Sequence, residues 1–347
     1  MLFTFLLLTV YIYLLLKLQL MIMKRYIKYP LYTVGAIILI AFALMSYATF
    51  FLPNVGKAPT MKITITDEKV ERGRYLAYHV MMCADCHSVR DFSLFSGPPT
   101  PGTEFAGGEI FDHSMGFPGR FVSTNITPYG IGDWTDGELF RLITTGVKRD
   151  GEPIFPVMPY HNFGKLDSED IEAVIAFLRT LDPIETNHPT SKADFPFNFI
   201  LRTLPEKATL SQKPDVSDWT AYGEYMFTAA ACFDCHTKHE KGKFVGPLAG
   251  GGREFVSPDG SIVRTPNLTP HETGIAHYTK ETFVQQFKMY ADSSFVLPVV
   301  NQGELQTLMP WVMYSGMTVE DIEAIYDYLQ TLEPYDNMVE RFTPARE

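Results

Sequence analysis

The four cysteines of this chain fall into two copies of one frame, Cys83-Ala84-Asp85-Cys86-His87 and Cys232-Phe233-Asp234-Cys235-His236, set 149 residues apart, with no cysteine left over. Two thiols three positions apart, with a histidine directly after the second, restrict the fold and chemistry more than any other feature of the sequence. A zinc ribbon would need its two cysteine pairs about 12–20 residues apart, whereas 146 residues separate Cys86 from Cys232. A thioredoxin-like dithiol occurs once, within a βαβ pattern, and gives no reason for a repeated histidine. The frame does suit covalent haem attachment, in which two thiols become thioethers to the porphyrin and the next histidine ligates its iron. It predicts two covalently bound haem c groups, on Cys83, Cys86, Cys232 and Cys235, with His87 and His236 as proximal iron ligands.

The frames belong to a longer duplication. Asp170-Ile171-Glu172-Ala173 recurs as Asp321-Ile322-Glu323-Ala324, and Leu181 with Pro183 as Leu332 with Pro334, each shifted by 151 residues. Upstream, Thr124-Asn125-Ile126-Thr127-Pro128 is echoed by Pro266-Asn267-Leu268-Thr269-Pro270, and Trp134-Thr135 by Tyr278-Thr279, at shifts of 142 to 144. Ile171, Val174, Ile175, Leu178 and Leu181 lie at helical spacing and make one apolar stripe, which Ile322, Ile325, Tyr326, Leu329 and Leu332 copy. Asp167 and Thr318 are matched N-caps for these two helices. An earlier helix runs into each haem frame from about Asp67 and Asp218, and carries Gly73 or Gly223; a recurrent helical glycine, which costs about 1 kcal/mol, points to close contact with another helix. The expected organisation is one domain over 61–183, a proline-rich linker over 184–214 with one apolar docking stretch near Phe195 to Leu204, a second domain over 215–335, and a tail over 336–347.

What fills the second axial position of each iron decides between electron transfer and catalysis. Among 15 methionines and nine histidines, the duplication selects Met158-Pro159-Tyr160 and Met309-Pro310-Trp311, which match at the 151-residue shift of the C-terminal helices. The methionines follow their proximal histidines by 71 and 73 residues. A thioether is a soft ligand that favours ferrous iron, so His/Met ligation gives a filled, high-potential centre. His161 competes with Met158 at the first centre, but its counterpart in the second repeat is Val312.

The first 60 residues hold five basic residues and no acidic one. They contain two apolar runs, Met1 to Leu20 and Leu31 to Leu52, separated by Lys24, Arg25 and Lys28. Residues 31–52 read as a transmembrane signal anchor whose basic flank stays cytoplasmic, placing the haem frames on the periplasmic side of a bacterial inner membrane. Residues 1–30 read either as an extra span or as an over-extended start, and Ser46-Tyr47-Ala48 also suits signal cleavage. Beyond residue 60 there are 24 basic and 40 acidic residues, a net charge of −16. Such a surface disfavours nucleic acid and suits redox partners that present basic patches.

Taken together, the two frames, the Thr-Asn-Ile-Thr-Pro loop at 124–128 with Gly130-Ile131-Gly132-Asp133-Trp134-Thr135, and the Met-Pro-aromatic units resemble class I cytochrome c domains. More closely, they resemble the membrane-anchored multihaem cytochrome c subunits of periplasmic alcohol, aldehyde and sugar-acid dehydrogenases. The resemblance covers most of residues 67–335 and implies an all-α chain, two tandem class I cytochrome c domains after an N-terminal transmembrane anchor. It departs in having two haem domains where those subunits commonly have three, in Tyr278 for Trp134, and in an insertion between Thr282 and Met309. By resemblance, Gly73 and Gly223 pack near Phe177 and Tyr328, and Asn125, Asn267, Tyr160 and Trp311 contact the haem edges or propionates. The function it implies is a non-enzymatic relay between a dehydrogenase or respiratory complex and an oxidase or soluble cytochrome. A dihaem peroxidase, which needs one displaceable axial ligand, is the alternative.

Overall fold

The computed structural model describes residues 2–240 and 242–345, with side chains from residue 9 onward. Met1, in the expected first segment, and residues 346–347, in the expected tail, lie outside the described residues. The chain divides into residues 1–52 and 53–347. Helix α1 (Leu2–Phe51) takes up Leu2 to Leu20 of the first apolar run and Leu31 to Phe51 of the second, and passes through Pro30 without a break. At 1.5 Å per residue it is about 75 Å long, against a hydrocarbon core of about 30 Å. Among the described residues it is the one helix long and apolar enough to cross a membrane, and it fits membrane anchoring.

In the second unit, α2 (Asp67–Tyr75) is capped by the Thr66 side chain, continues as a π-helical turn over Leu76–Val80, and leads into α3 (Cys83–Cys86). Strands β1 (Ile110–Phe111) and β2 (Gly119–Val122) precede α4 (Pro128–Ile131), α5 (Asp136–Thr145), α6 (Tyr160–Phe163) and α7 (Ser168–Thr180). Between the repeats lie β3 (Lys192–Ala193) and α8 (Phe197–Leu201). The second repeat follows with α9 (Trp219–Ala229), α10 (Cys232–His236), β4 (His239–Glu240), β5 (Lys243–Phe244), β6 (Glu254–Val256) and β7 (Ile262–Arg264). It closes with α11 (Lys280–Lys288), α12 (Trp311–Tyr314), α13 (Val319–Gln330) and β8 (Phe342–Thr343). Asp167 and Thr318 cap α7 and α13 as their sequence positions predict.

The all-α expectation is corrected. Only 43% of the structure is helical, and the described residues form three antiparallel sheets, ordered β1-β2-β3, β4-β5 and β6-β7-β8. Strands of two to four residues offer too few positions for a period-two pattern. Two of these strands come from segments expected to be linker and tail. β3 pairs with β2 (Gly119 opposite Ala193), and β8 pairs with β7 (Val263 opposite Phe342), so each repeat is followed by a return strap along its own sheet. Of the docking stretch expected over Phe195 to Leu204, Phe197 and Leu201 pack with Phe111, Phe121 and Phe155, while Phe195, Ile200 and Leu204 are exposed.

Each repeat is built on one helix crossing, α2 with α7 and α9 with α13. A methyl group on Gly73 would collide with the Ala173 carbonyl, and one on Gly223 with that of Ala324, so only glycine permits either approach. Phe177 and Tyr328 stand beside them. Ile171, Val174, Ile175, Ile322, Ile325 and Leu329 are all buried, each contributing roughly 1.5–3 kcal/mol of apolar burial.

The two crossings share one core and exchange polar contacts in a two-fold manner. Tyr75 of the first repeat donates to Asp321 of the second, while its counterpart Tyr225 donates to Asp170 of the first at 2.7 Å. The amides of Thr318 and Asp167 donate back to these same hydroxyls, at 3.1 and 3.2 Å. Within its own repeat each aspartate has a second partner. Arg72 grips Asp170 through two bonds of 2.9 and 2.7 Å, and Tyr222 donates to Asp321 at 2.6 Å.

Candidate haem centres

Both frames begin with a residue in the left-handed region, Met82 (φ 54°) and Ala231 (φ 51°), which turns the chain sharply out of the preceding helix. The short helix that follows sets the two cysteines at i and i+3, on one face, where both can reach one porphyrin edge. The histidines are then oriented by backbone. His87 Nδ1 lies 2.7 Å from the Thr124 carbonyl oxygen, and His236 Nδ1 lies 3.0 Å from that of Pro266. A carbonyl only accepts, so in each ring Nδ1 carries the proton and Nε2 keeps the lone pair that binds a metal. Burial pushes both imidazoles below their usual range, His236 to about 4, which keeps them neutral.

The donor set fits haem c and not a protein-ligated metal. Among the described residues no group of three or more His, Cys, Asp or Glu could hold a metal ion unaided. The Tyr160 hydroxyl, two residues from Met158, is buried without a hydrogen-bond partner, as expected beside a polar group that belongs to a cofactor. Met158 and Met309 are both half-buried against the core. Each opens a matched turn in which the amide of Tyr160 or Trp311 donates to the methionine carbonyl at 2.8 Å.

The remaining sequence candidates are placed as follows. His161 spends Nε2 on Asp234 Oδ1 at 2.8 Å, and Asn162 donates to Asp234 Oδ2 at 2.8 Å, so the turn after Met158 holds the frame of the other repeat. Asn125 and Asn267 are buried, and their amide nitrogens tie down the return straps at the carbonyls of Ile184 and Tyr335, both at 2.7 Å. Their side-chain oxygens accept from Thr127 and Thr269. The Trp311 ring stacks on Tyr290 with centroids 5.3 Å apart and planes 16° apart.

Sequence reasoning selected the asparagines of the two matched loops but missed the carbonyls just before them, at Thr124 and Pro266. Any residue supplies a carbonyl, so the side chains gave no signal; the need of each histidine for an Nδ1 acceptor was the available clue. A buried cluster behind the first frame was also missed. Arg90 Nη1 lies 3.1 Å from Asp85 and 3.9 Å from Glu109. Burial pushes Asp85 up to about 6 and Glu109 up to about 7, against the opposing pull of the Arg90 charge.

Comparison with known proteins agrees with this geometry. Residues 220–333 match the Cytochrome c family. The chain is 29% identical over 253 residues, 68% of its length and 48% of the relative's, to a fructose dehydrogenase cytochrome subunit from Gluconobacter japonicus. It is 27% identical over 284 residues, 76% of its length and 56% of the relative's, to the cytochrome c subunit of a quinone alcohol dehydrogenase from Gluconacetobacter polyoxogenes. It is also 27% identical over 230 residues, 59% of its length and 71% of the relative's, to a diheme c-type cytochrome from Cereibacter sphaeroides. The chain thus spans about half the length of the dehydrogenase subunits it matches. The matched residues 220–333 hold the second frame with its backbone-oriented His236, so this segment matches a cytochrome c domain, and the chain is similar to cytochrome c subunits of dehydrogenases.

Proposed function

We propose that the chain is a membrane-anchored dihaem cytochrome that passes single electrons from a dehydrogenase to a respiratory acceptor, on the outer face of the bacterial inner membrane. Cys83 and Cys86 hold one haem and Cys232 and Cys235 the other. His87 with Met158 and His236 with Met309 supply the axial ligands, within repeats spanning about 61–183 and 215–335. When bound, such a group supplies reversible one-electron chemistry at iron. The protein's own part is to keep both axial positions filled, to bury the centres, and to hold them in fixed relation.

The observation that carries this reading is the two-fold exchange between the repeats. Asp170 and Asp321 each receive a tyrosine from the other repeat, and the turn after Met158 grips Asp234 inside the second frame. Two centres built this way are fixed relative to each other, as a relay requires. The acidic exterior suits partners with basic docking faces. Neither centre needs a substrate pocket, and no step of this role is enzymatic.

Mass measurement of the purified holoprotein tests the count. The parent carries two haems, and the pairs Cys83→Ser/Cys86→Ser and Cys232→Ser/Cys235→Ser each carry one. Steady reduction of hydrogen peroxide by the protein would instead make it an enzyme, and a single haem in the parent would remove the relay.

A further inference from the structure

Each repeat has a stretch that the other lacks, and the two stretches meet. From His87 to Asn125 is 38 residues, against 31 from His236 to Asn267; from Trp134 to Met158 is 24, against 31 from Tyr278 to Met309. The first repeat is therefore longer just after its haem frame, and the second just before its distal methionine. Leu94 and Val299 form an antiparallel bridge between these loops. The amide of Phe95 donates to Pro298 and that of Val300 to Ser93, both at 2.8 Å. Gln306 donates to the carbonyls of Phe92 and Leu94, both at 2.9 Å, and accepts from the amide of Ser96 at 2.9 Å.

Ser96 is where this clasp touches the second centre. It is 1% exposed and sits at φ 71°, a left-handed conformation in which glycine would be free of strain. Its hydroxyl donates to the Met309 carbonyl at 2.7 Å and accepts from the Trp311 amide at 3.0 Å. It thereby brackets Pro310, which has no amide hydrogen to fix this turn. Arg90 holds Ser96 from the other side, donating to its carbonyl at 2.8 Å and to that of Gly97 at 2.7 Å while pairing with Asp85 in the first frame. A line of polar contacts thus runs from the first frame through Arg90 and Ser96 to Met309. Among the described residues, the Met158 carbonyl has only its own turn as partner.

We propose that Ser96 is a positioning residue for the Met309 ligand, so that a loop of the first repeat fixes the distal side of the second centre. The inference rests on Met309 being that ligand. Its test is an imidazole titration of the full-length ferric holoprotein, followed in the long-wavelength thioether-to-iron absorption band. Ser96→Gly keeps the backbone conformation favourable while removing the hydroxymethyl group that makes both hydrogen bonds. At one centre imidazole should displace the thioether at roughly tenfold lower concentration, the equivalent of one buried hydrogen bond, and the other centre should titrate as in the parent. The affected centre should be the one whose band is missing in Met309→Ala. Parent-like titration of Ser96→Gly, or an effect at the Met158 centre, overturns the role of Ser96. If Met309→Ala loses no band, the ligand assignment fails first and the positioning role fails with it.

Discussion

The turns that carry Met158 and Met309 share a backbone and differ in what holds them. Both run methionine, proline, aromatic, with the same 2.8 Å amide-to-carbonyl bond, and both lie before a capped, glycine-crossed helix pair. The first turn reaches outward, giving His161 and Asn162 to Asp234 of the second frame. The second turn is reached from outside, its backbone held by Ser96 of the first repeat. Duplication has kept the helices and their crossing alike, while the contacts at the rims have been remade with different chemistry. Under the proposed two-haem reading, such a unit would hold its centres at a fixed separation while the different rim contacts tune each one separately.

The comparison breaks most directly at the shared part. Gly73→Ala and Gly223→Ala each force a methyl group against a helix carbonyl and should cost about 3 kcal/mol or more by overpacking, read as a lower urea midpoint. Similar losses at both sites support equivalence of the crossings; tolerance at either would remove it.

Asp170 and Asp321 sharpen the same point. Asp170→Asn takes the negative charge and one of two accepting oxygens from a mostly buried Arg72 and should cost about 3 kcal/mol. Asp321→Asn leaves only neutral tyrosine hydroxyls behind and should cost about 1 kcal/mol. Equal losses in urea unfolding would mean that the arginine adds nothing.

A further effect is expected at the Arg90 cluster of the first repeat. The Glu109 carboxyl rises from 4.5 unfolded to about 7 folded because of burial. The native state therefore binds more protons than the unfolded state between those values, and stability contributed by this group falls as pH rises from about 4.5 to about 7. Glu109→Gln should flatten the unfolding midpoint across that window by about 1 kcal/mol or more. An unchanged slope would show that Glu109 is not the group responsible.

The frames, the final helices with their caps, and the matched methionine turns were legible because each rests on local spacing that duplication doubled. The sheets were not, since strands as short as Lys192–Ala193 or Phe342–Thr343 carry no period. The linker read as a proline-rich spacer and residues 336–347 as a tail, yet their backbone pairs with the sheets behind them, a partnership that needs no particular side chain. Tyr75 with Asp321, 246 residues apart, and Ser96 with Met309, 213 apart, leave no local trace in the sequence. Both are products of how the repeats face each other.

The account depends on each repeat having its own His/Met centre, and the ferric absorption spectra of Met158→Ala and Met309→Ala test this most directly. Each substitution should remove about half of the long-wavelength thioether band with both haems still attached, and the double variant should remove all of it. A single substitution that removes the whole band, or one that removes none, contradicts the two-centre account.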